Sequence, residues 1–194
     1  MPLTPAVPRK PLNTRCISCH GYQRDDGLWE VEGHLCDTRG FDIRTRWRGA
    51  VPKDTPFHEM GMRITFGDDM VISAIEVVTD AAPYPATCTS APGSYQRLVG
   101  LRIGSGFSRR IVELIGGTSG CTHQTELLRV LGSVAMQTVG SYHAHVTKDR
   151  ARTARLFGNK PARPGLLESC VSYATDTEVV ATLWPDHYSG PTNN

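Results

Sequence analysis

The sequence has no apolar run near the roughly 18 residues that a membrane span needs. Nor does one sign of charge dominate, since 21 Lys and Arg stand against 19 Asp and Glu and leave a net charge of +2. Basic residues cluster only in "RTRWRG" (44–49) and "KDRARTAR" (148–155), which read as solvated loop or helix faces. Neither a nucleic-acid nor a membrane partner is expected. G-x-G-x-x-G, G-x-x-x-x-G-K, H-E-x-x-H and G-x-S-x-G are all missing, so no nicotinamide, flavin or nucleotide is implied. "GLRIGSGF" has the glycines but neither a preceding parallel strand nor a phosphate-binding lysine, and it reads as a loop. The opening "MPLTPAVPRKPLNTR" lacks an apolar core and carries four prolines, unlike a signal peptide. The expected location is therefore cytoplasmic, with the six cysteines reduced.

The chain does contain Cys16-Ile17-Ser18-Cys19-His20, the C-x-x-C-H spacing of covalent haem attachment. Here the pattern lies in a β-like run. Residues three apart on a strand face opposite ways, so Cys16 and Cys19 cannot share a haem or a metal. The match is read as chance.

At 194 residues the chain is long enough for one domain with a core of its own. Residues 1–14 read as an extended Pro-rich arm and 15–194 as a single α+β domain. "RDDG" joins runs 15–24 and 28–38 into a hairpin, with Trp29, Val31, Gly33 and Leu35 on one face. Residues 40–57 read as loop. "EMGMRITF" and "MVISAIEVVTD" form a second hairpin across "GDD". Three prolines mark 81–94 as loop. A short helix is expected in "SYQRLVGLRI" with Ser94 as N-cap, another in "SGFSRRIVELIGG", and a long one in "CTHQTELLRVLGSVAMQTVGSY". Residues 144–165 read as loop and frayed helix, and the tail as a last hairpin turning at 175–177. Together these give an antiparallel sheet built from hairpins with two or three helices packed on one face. The other face needs a cover, for which a homodimer is one solution.

The densest chemistry lies in "GGTSGCTHQTE" (116–126), where glycines precede a helix start. Backbone N–H groups there favour an anion, and a Cys there has a depressed pKa. His123 and Glu126 share a helical face, whereas Cys121 and His123 converge only if Cys121 precedes the first turn. A second candidate is Asp80 to Cys88, where prolines hold an acid, Tyr84 and a thiol at the end of a strand. Glu32 and His34 on one strand, and His58 before another, form the third set.

Several of these strings carry a family likeness. "GYQRDDGLWEVEGHLCDT", "HEMGMRITFGDDMVI", "DAAPYPATC", "YQRLVGLRIGSGF" and "GGTSGCTHQTELL" resemble a bacterial domain-of-unknown-function family, number 2889. The likeness runs from residue 1 to about 185 and is poor over 40–57 and 141–165. Asp80, Cys88, His34, Cys121 and His123 fall on the family's motif positions, whereas Cys16 and Cys19 do not. The resemblance implies no established activity. Its genomic context points to the catabolism of aromatic compounds.

Two functions are therefore expected as alternatives. One is a cofactor-independent acid–base lyase that removes a small aldehyde from a small aromatic substrate by a retro-aldol step. In it His123 is the acid/base, Glu126 its orienter, and Asp80 and Tyr84 contact substrate or proton. Cys121, Thr122, His34, Glu32, His58 and Cys88 bind substrate. The other is a metal-binding accessory protein whose Cys88, Cys121, His123 and Asp80 hold zinc or an iron–sulfur centre.

Overall fold

The fold comes from a computed structural model that describes residues 3–158 and 163–190. Residues 1 and 2 of the arm, 159–162 of the stretch read as loop and frayed helix, and 191–194 of the tail lie outside the described residues. The chain divides into two compact units, Met1–Ala135 and Met136–Asn194.

The first unit is organised by the two expected hairpins. Strands β1 (Asn13–Gln23) and β2 (Trp29–Arg39) pair antiparallel across the "RDDG" turn. Strands β5 (Pro56–Phe66) and β6 (Ile72–Ala81) form the second hairpin, and β5 docks on β2. The result is a four-stranded antiparallel sheet of order β1-β2-β5-β6. Alternation sends Trp29, Val31 and Leu35 to one face with Met60, Ile64 and Phe66, all at 0–1% exposure. The other face carries Glu30, Glu32, His34 and Arg63. The α+β class follows from this sheet and the helices after it.

Helix α3 (Thr122–Ser141) packs on the apolar face through its first half. Gly33 makes that approach possible, since a Cβ there would lie 2.8 Å from Leu127 Cδ1 and 3.0 Å from Leu131 Cδ2. Helix α2 (Phe107–Ile115) buries Phe107, Ile111 and Ile115, and Phe107 sits against α3 where Gly132 leaves room. A 3-10 helix, Ala91–Leu98, buries Tyr95 and Leu98 and is tied to β6 by Gln96 Nε2 donating to Ile75 O at 2.8 Å.

Several local expectations are corrected. Residues 40–57 are not all loop. They contain a two-stranded ribbon, β3 (Ile43–Thr45) with β4 (Gly49–Val51), before β5 begins. The 81–94 stretch holds a short helix, α1 (Pro85–Cys88), because proline fits a helix's first turn, where its missing N–H costs nothing. The 3-10 helix starts at Ala91, so Ser94 lies inside it and donates to Ala91 O rather than capping it.

In the second unit the end of α3 passes into a π-helical turn, Tyr142–Val146, followed by α4 (Arg150–Leu156) with Asp149 as its N-cap. The tail is not a hairpin. Thr177 accepts a hydrogen bond from the Val180 N–H and caps α5 (Glu178–Leu183). A polar residue that satisfies a free helix N–H outweighs the β propensity of Val179 and Val180. Among the described residues no helix is long and apolar enough to cross a membrane.

Candidate active site

The apolar face of β2 continues, two residues beyond Leu35, into a carboxylate. Asp37 is 2% exposed and sits on one rung of the sheet with Arg15 on β1 and His58 on β5. A register shift between Asp37 and Thr38 sets this rung, because Thr38 pairs with Pro56 and leaves Phe57 as the extra residue. Bulges of this kind re-aim side chains next to functional sites. The start of β5 is also clamped by Arg48, whose Nη1 donates to the carbonyls of Pro56 and Phe57, both at 3.1 Å.

Arg15 grips Asp37 with two parallel bonds, Nε to Oδ1 at 2.7 Å and Nη2 to Oδ2 at 2.8 Å. Its Nη1 also pairs with Glu126 on α3. Those bonds hold the Asp37 carboxyl below the usual carboxylate range, against the opposing pull of burial. An ionised carboxylate can only accept, so His58 Nδ1, 2.9 Å from Asp37 Oδ2, carries the proton. In neutral His58, Nε2 is then the nitrogen with a free lone pair.

His123 enters from the first turn of α3. Its ring stacks on that of His58 with centroids 3.9 Å apart and planes tilted by 30°, and its Nε2 is 3.9 Å from Asp37 Oδ2. Burial pushes both imidazoles below the ordinary value. The neighbouring His123 adds to this at His58, and Arg15 adds to it at His123. Two stacked rings resist a second positive charge, so the pair is suited to hold one proton between them.

Cys121 precedes the first turn, since its carbonyl accepts the Thr125 N–H at 2.9 Å. It thereby meets the condition for convergence, and its Sγ is 3.8 Å from His123 Nδ1. Buried Tyr95 holds this loop. Its hydroxyl donates to Cys121 O at 2.9 Å and receives the Cys121 N–H at 3.2 Å. Gln124 ties the same turn to β6 through Nε2 and Thr79 Oγ1 at 2.7 Å.

His58 and His123 wall a cavity of about 630 Å³, which Tyr84, Cys88, Cys121 and Thr122 also line. The structure thus gathers six of the candidates around one space. Asp80 is exposed on β6 and does not line it. Glu126 pairs with Arg15, and the carboxylate within ion-pair distance of His123 is Asp37, to which the sequence reading assigns no role. Glu32 pairs with Arg63 and His34 lies 3.5 Å from Glu59, both on the opposite face of the sheet. Cys16 faces Cys36 across β1 and β2, while the Cys19 thiol points to the helix side at Gly33, as the strand argument requires. The four expected metal ligands, Cys88, Cys121, His123 and Asp80, form no compact group among the described residues. The group whose donor atoms lie within 4.8 Å of one another is Asp37, His58 and His123.

Sequence reasoning missed Arg15 and Asp37. The signal for Asp37 was present in the alternation Trp29, Val31, Gly33, Leu35, whose next member is an acid on an apolar face. Arg15 carried no such signal.

A family described as "Protein of unknown function (DUF2889)" matches residues 13–137. The chain belongs to this family. Its matched segment begins with β1 and ends within α3, so Arg15, Asp37, His58, Cys121 and His123 all lie inside it. No curated protein and no solved structure matches the chain.

Proposed function

We propose that this DUF2889 member is a cofactor-independent acid–base lyase acting on a small aromatic substrate, by retro-aldol loss of a small aldehyde. The observation that carries this reading is the Arg15–Asp37–His58 rung, its carboxylate and imidazole buried, stacked on His123 at the wall of a cavity of small-molecule size. A retro-aldol step needs two proton transfers. One imidazole takes the proton of the substrate's hydroxyl, the O–H pair becomes the C=O of the departing aldehyde, and the broken C–C pair moves into an acceptor conjugated with the ring. The imidazolium so formed returns that proton to the carbon, so the pair ends neutral and never carries two charges. Imidazoles held neutral near pH 7 suit the first transfer, and a positioned base contributes ~10²–10⁴-fold. The reading also includes a cytoplasmic setting and a homodimer, and light scattering of the purified protein tests the latter.

The test is to incubate purified protein with a panel of aryl compounds bearing a β-hydroxyl and to trap released aldehyde as its hydrazone. Aldehyde should appear with wild type and fall by ~10²–10⁴-fold in a folded His123→Ala variant. Aldehyde release unchanged in that variant would remove His123 from the chemistry.

A second reading rests on the compact Asp37, His58, His123 group, since two imidazoles and a carboxylate can hold a divalent metal. Against it, Asp37 already takes two Arg15 N–H groups and one from His58, and a guanidinium beside the site repels a cation. Elemental analysis of chelator-free protein decides. Near-equimolar metal that is lost in His58→Ala supports the second reading. Cys121→Ser separates a metal site there from the enzyme reading, which expects the change to be tolerated at ~1–3 kcal/mol.

A further inference from the structure

The cavity walled by the two imidazoles contains one cationic side chain that the acid–base reading does not use. Arg97, near the end of the 3-10 helix Ala91–Leu98, lines it, and no lining residue carries a carboxylate. Three arginines elsewhere in the first unit are neutralised locally: Arg15 by Asp37 and Glu126, Arg24 by Asp26 and Glu30, Arg63 by Glu32 and Glu76. Arg97 has no ion pair among the described residues. A guanidinium left without a counter-charge in an acid-free cavity gives that cavity a preference for anions.

Two hydroxyls of the lining are already engaged. Ser90 and Ser94 spend their protons on backbone carbonyls, of Thr87 at 2.7 Å and Ala91 at 2.8 Å. Thr118, Ser119 and Thr122 also line the cavity, and among the described residues their hydroxyls have no protein acceptor. They are free to donate to a ligand oxygen. Apolar surface from Met60, Pro83 and Tyr84 completes the wall, and Tyr84 is itself met edge-on by Trp47 at 4.9 Å.

We infer that the cavity takes an organic carboxylate, its acid group paired with Arg97 and hydrogen-bonded by Thr118, Ser119 or Thr122. This rests on the acid–base reading for which bond then reacts, but the binding claim is independent of turnover. The carboxylate anchors one end of the substrate, so that the remainder, not the charge, is presented to His58 and His123. A phosphate ester shares the oxyanion chemistry. One guanidinium with neutral hydroxyls suits a monoanion better than a dianion.

The experiment is titration calorimetry at pH 7.5 on the full chain, with 3-phenylpropanoate, its methyl ester and phenyl phosphate as probes. The carboxylate should bind, with the ester about 10-fold or more weaker, as expected for a lost charge-assisted pair. Arg97→Gln should weaken the carboxylate by a similar factor and leave the ester unchanged, while Arg97→Lys retains part of the preference. Arg97 is exposed, and circular dichroism of each variant confirms folding. Equal binding of acid and ester, equal binding by wild type and Arg97→Gln, or no binding of either probe overturns the inference. Tighter, Arg97-dependent binding of phenyl phosphate overturns the carboxylate class. The aldehyde assay on wild type separates the two readings: Arg97-dependent binding of 3-phenylpropanoate without any aldehyde release from the aryl panel leaves this inference standing when the lyase fails.

Discussion

Asp37 meets two demands that pull in opposite directions. Burial favours its neutral form, and the bidentate grip of Arg15 favours the anion. The guanidinium prevails, and the ionised carboxylate fixes the tautomer of His58. An Asp37→Asn variant leaves Arg15 without its main partner and offers His58 an amide that can turn either way. Turnover should fall by ~10²–10⁴-fold with the fold retained. Asp37 also raises the His58 titration, so its removal should move the acid limb of kcat/KM to lower pH. A pH–rate profile of the variant checks this, and an acid limb left in place would show that His58 is not the titrating group.

At the scale of elements, the closeness of β2 and α3 decides whether His123 reaches His58 at all. Gly33 sits at that contact, where an added Cβ would also lie 3.2 Å from Cys19 Sγ. Gly33→Val should overpack the interface at a cost of ~1–3 kcal/mol. Because the displaced atoms are the tips of Leu127 and Leu131, about one and two turns along α3 from His123, the stacked pair should loosen too. Urea denaturation measures the first effect. The second shows as a larger loss of turnover than an equally destabilising change in α5, the capped helix of the second unit. An unaltered midpoint in urea would mean that the leucine tips give way without cost.

For the whole molecule buried His58, half-buried His123 and Asp37 act in the same direction with pH. The folded values of His58 and His123 lie below the ordinary 6.5, so as pH falls through about 6.5 the unfolded chain takes up protons first and stability declines. The decline continues down to the folded values. Asp37, depressed below its ordinary 3.8, adds a further loss below about that pH. The midpoint temperature of wild type should hold steady above pH 7 and drop from pH 6.5 to 5. In a His58→Gln, His123→Gln double variant the drop should be shallower. Parallel curves for the two proteins would mean that other groups govern acid stability.

Sequence alone was enough for those elements whose pairing is local. The "RDDG" and "GDD" turns lie between β-like runs, and the faces of β2 and β5 follow from alternation, because side chains on a strand repeat every two residues. The period of α3 was open to the same arithmetic, whereas the placement of Cys121 just before its first turn was not. The arithmetic failed where local signals conflict, as in the tail, where a Thr cap overrode β-branched residues, and at Pro85, which starts a helix instead of excluding one. The site itself needed the tertiary structure. Arg15, Asp37 and His58 lie on three strands, and their shared rung depends on a one-residue bulge at Phe57 that no periodicity encodes. Glu126 has the right spacing for His123, yet it turns to Arg15, whose cation arrives from a strand 111 residues away in the chain. Spacing fixes which side chains can meet, and long-range charge fixes which of them do.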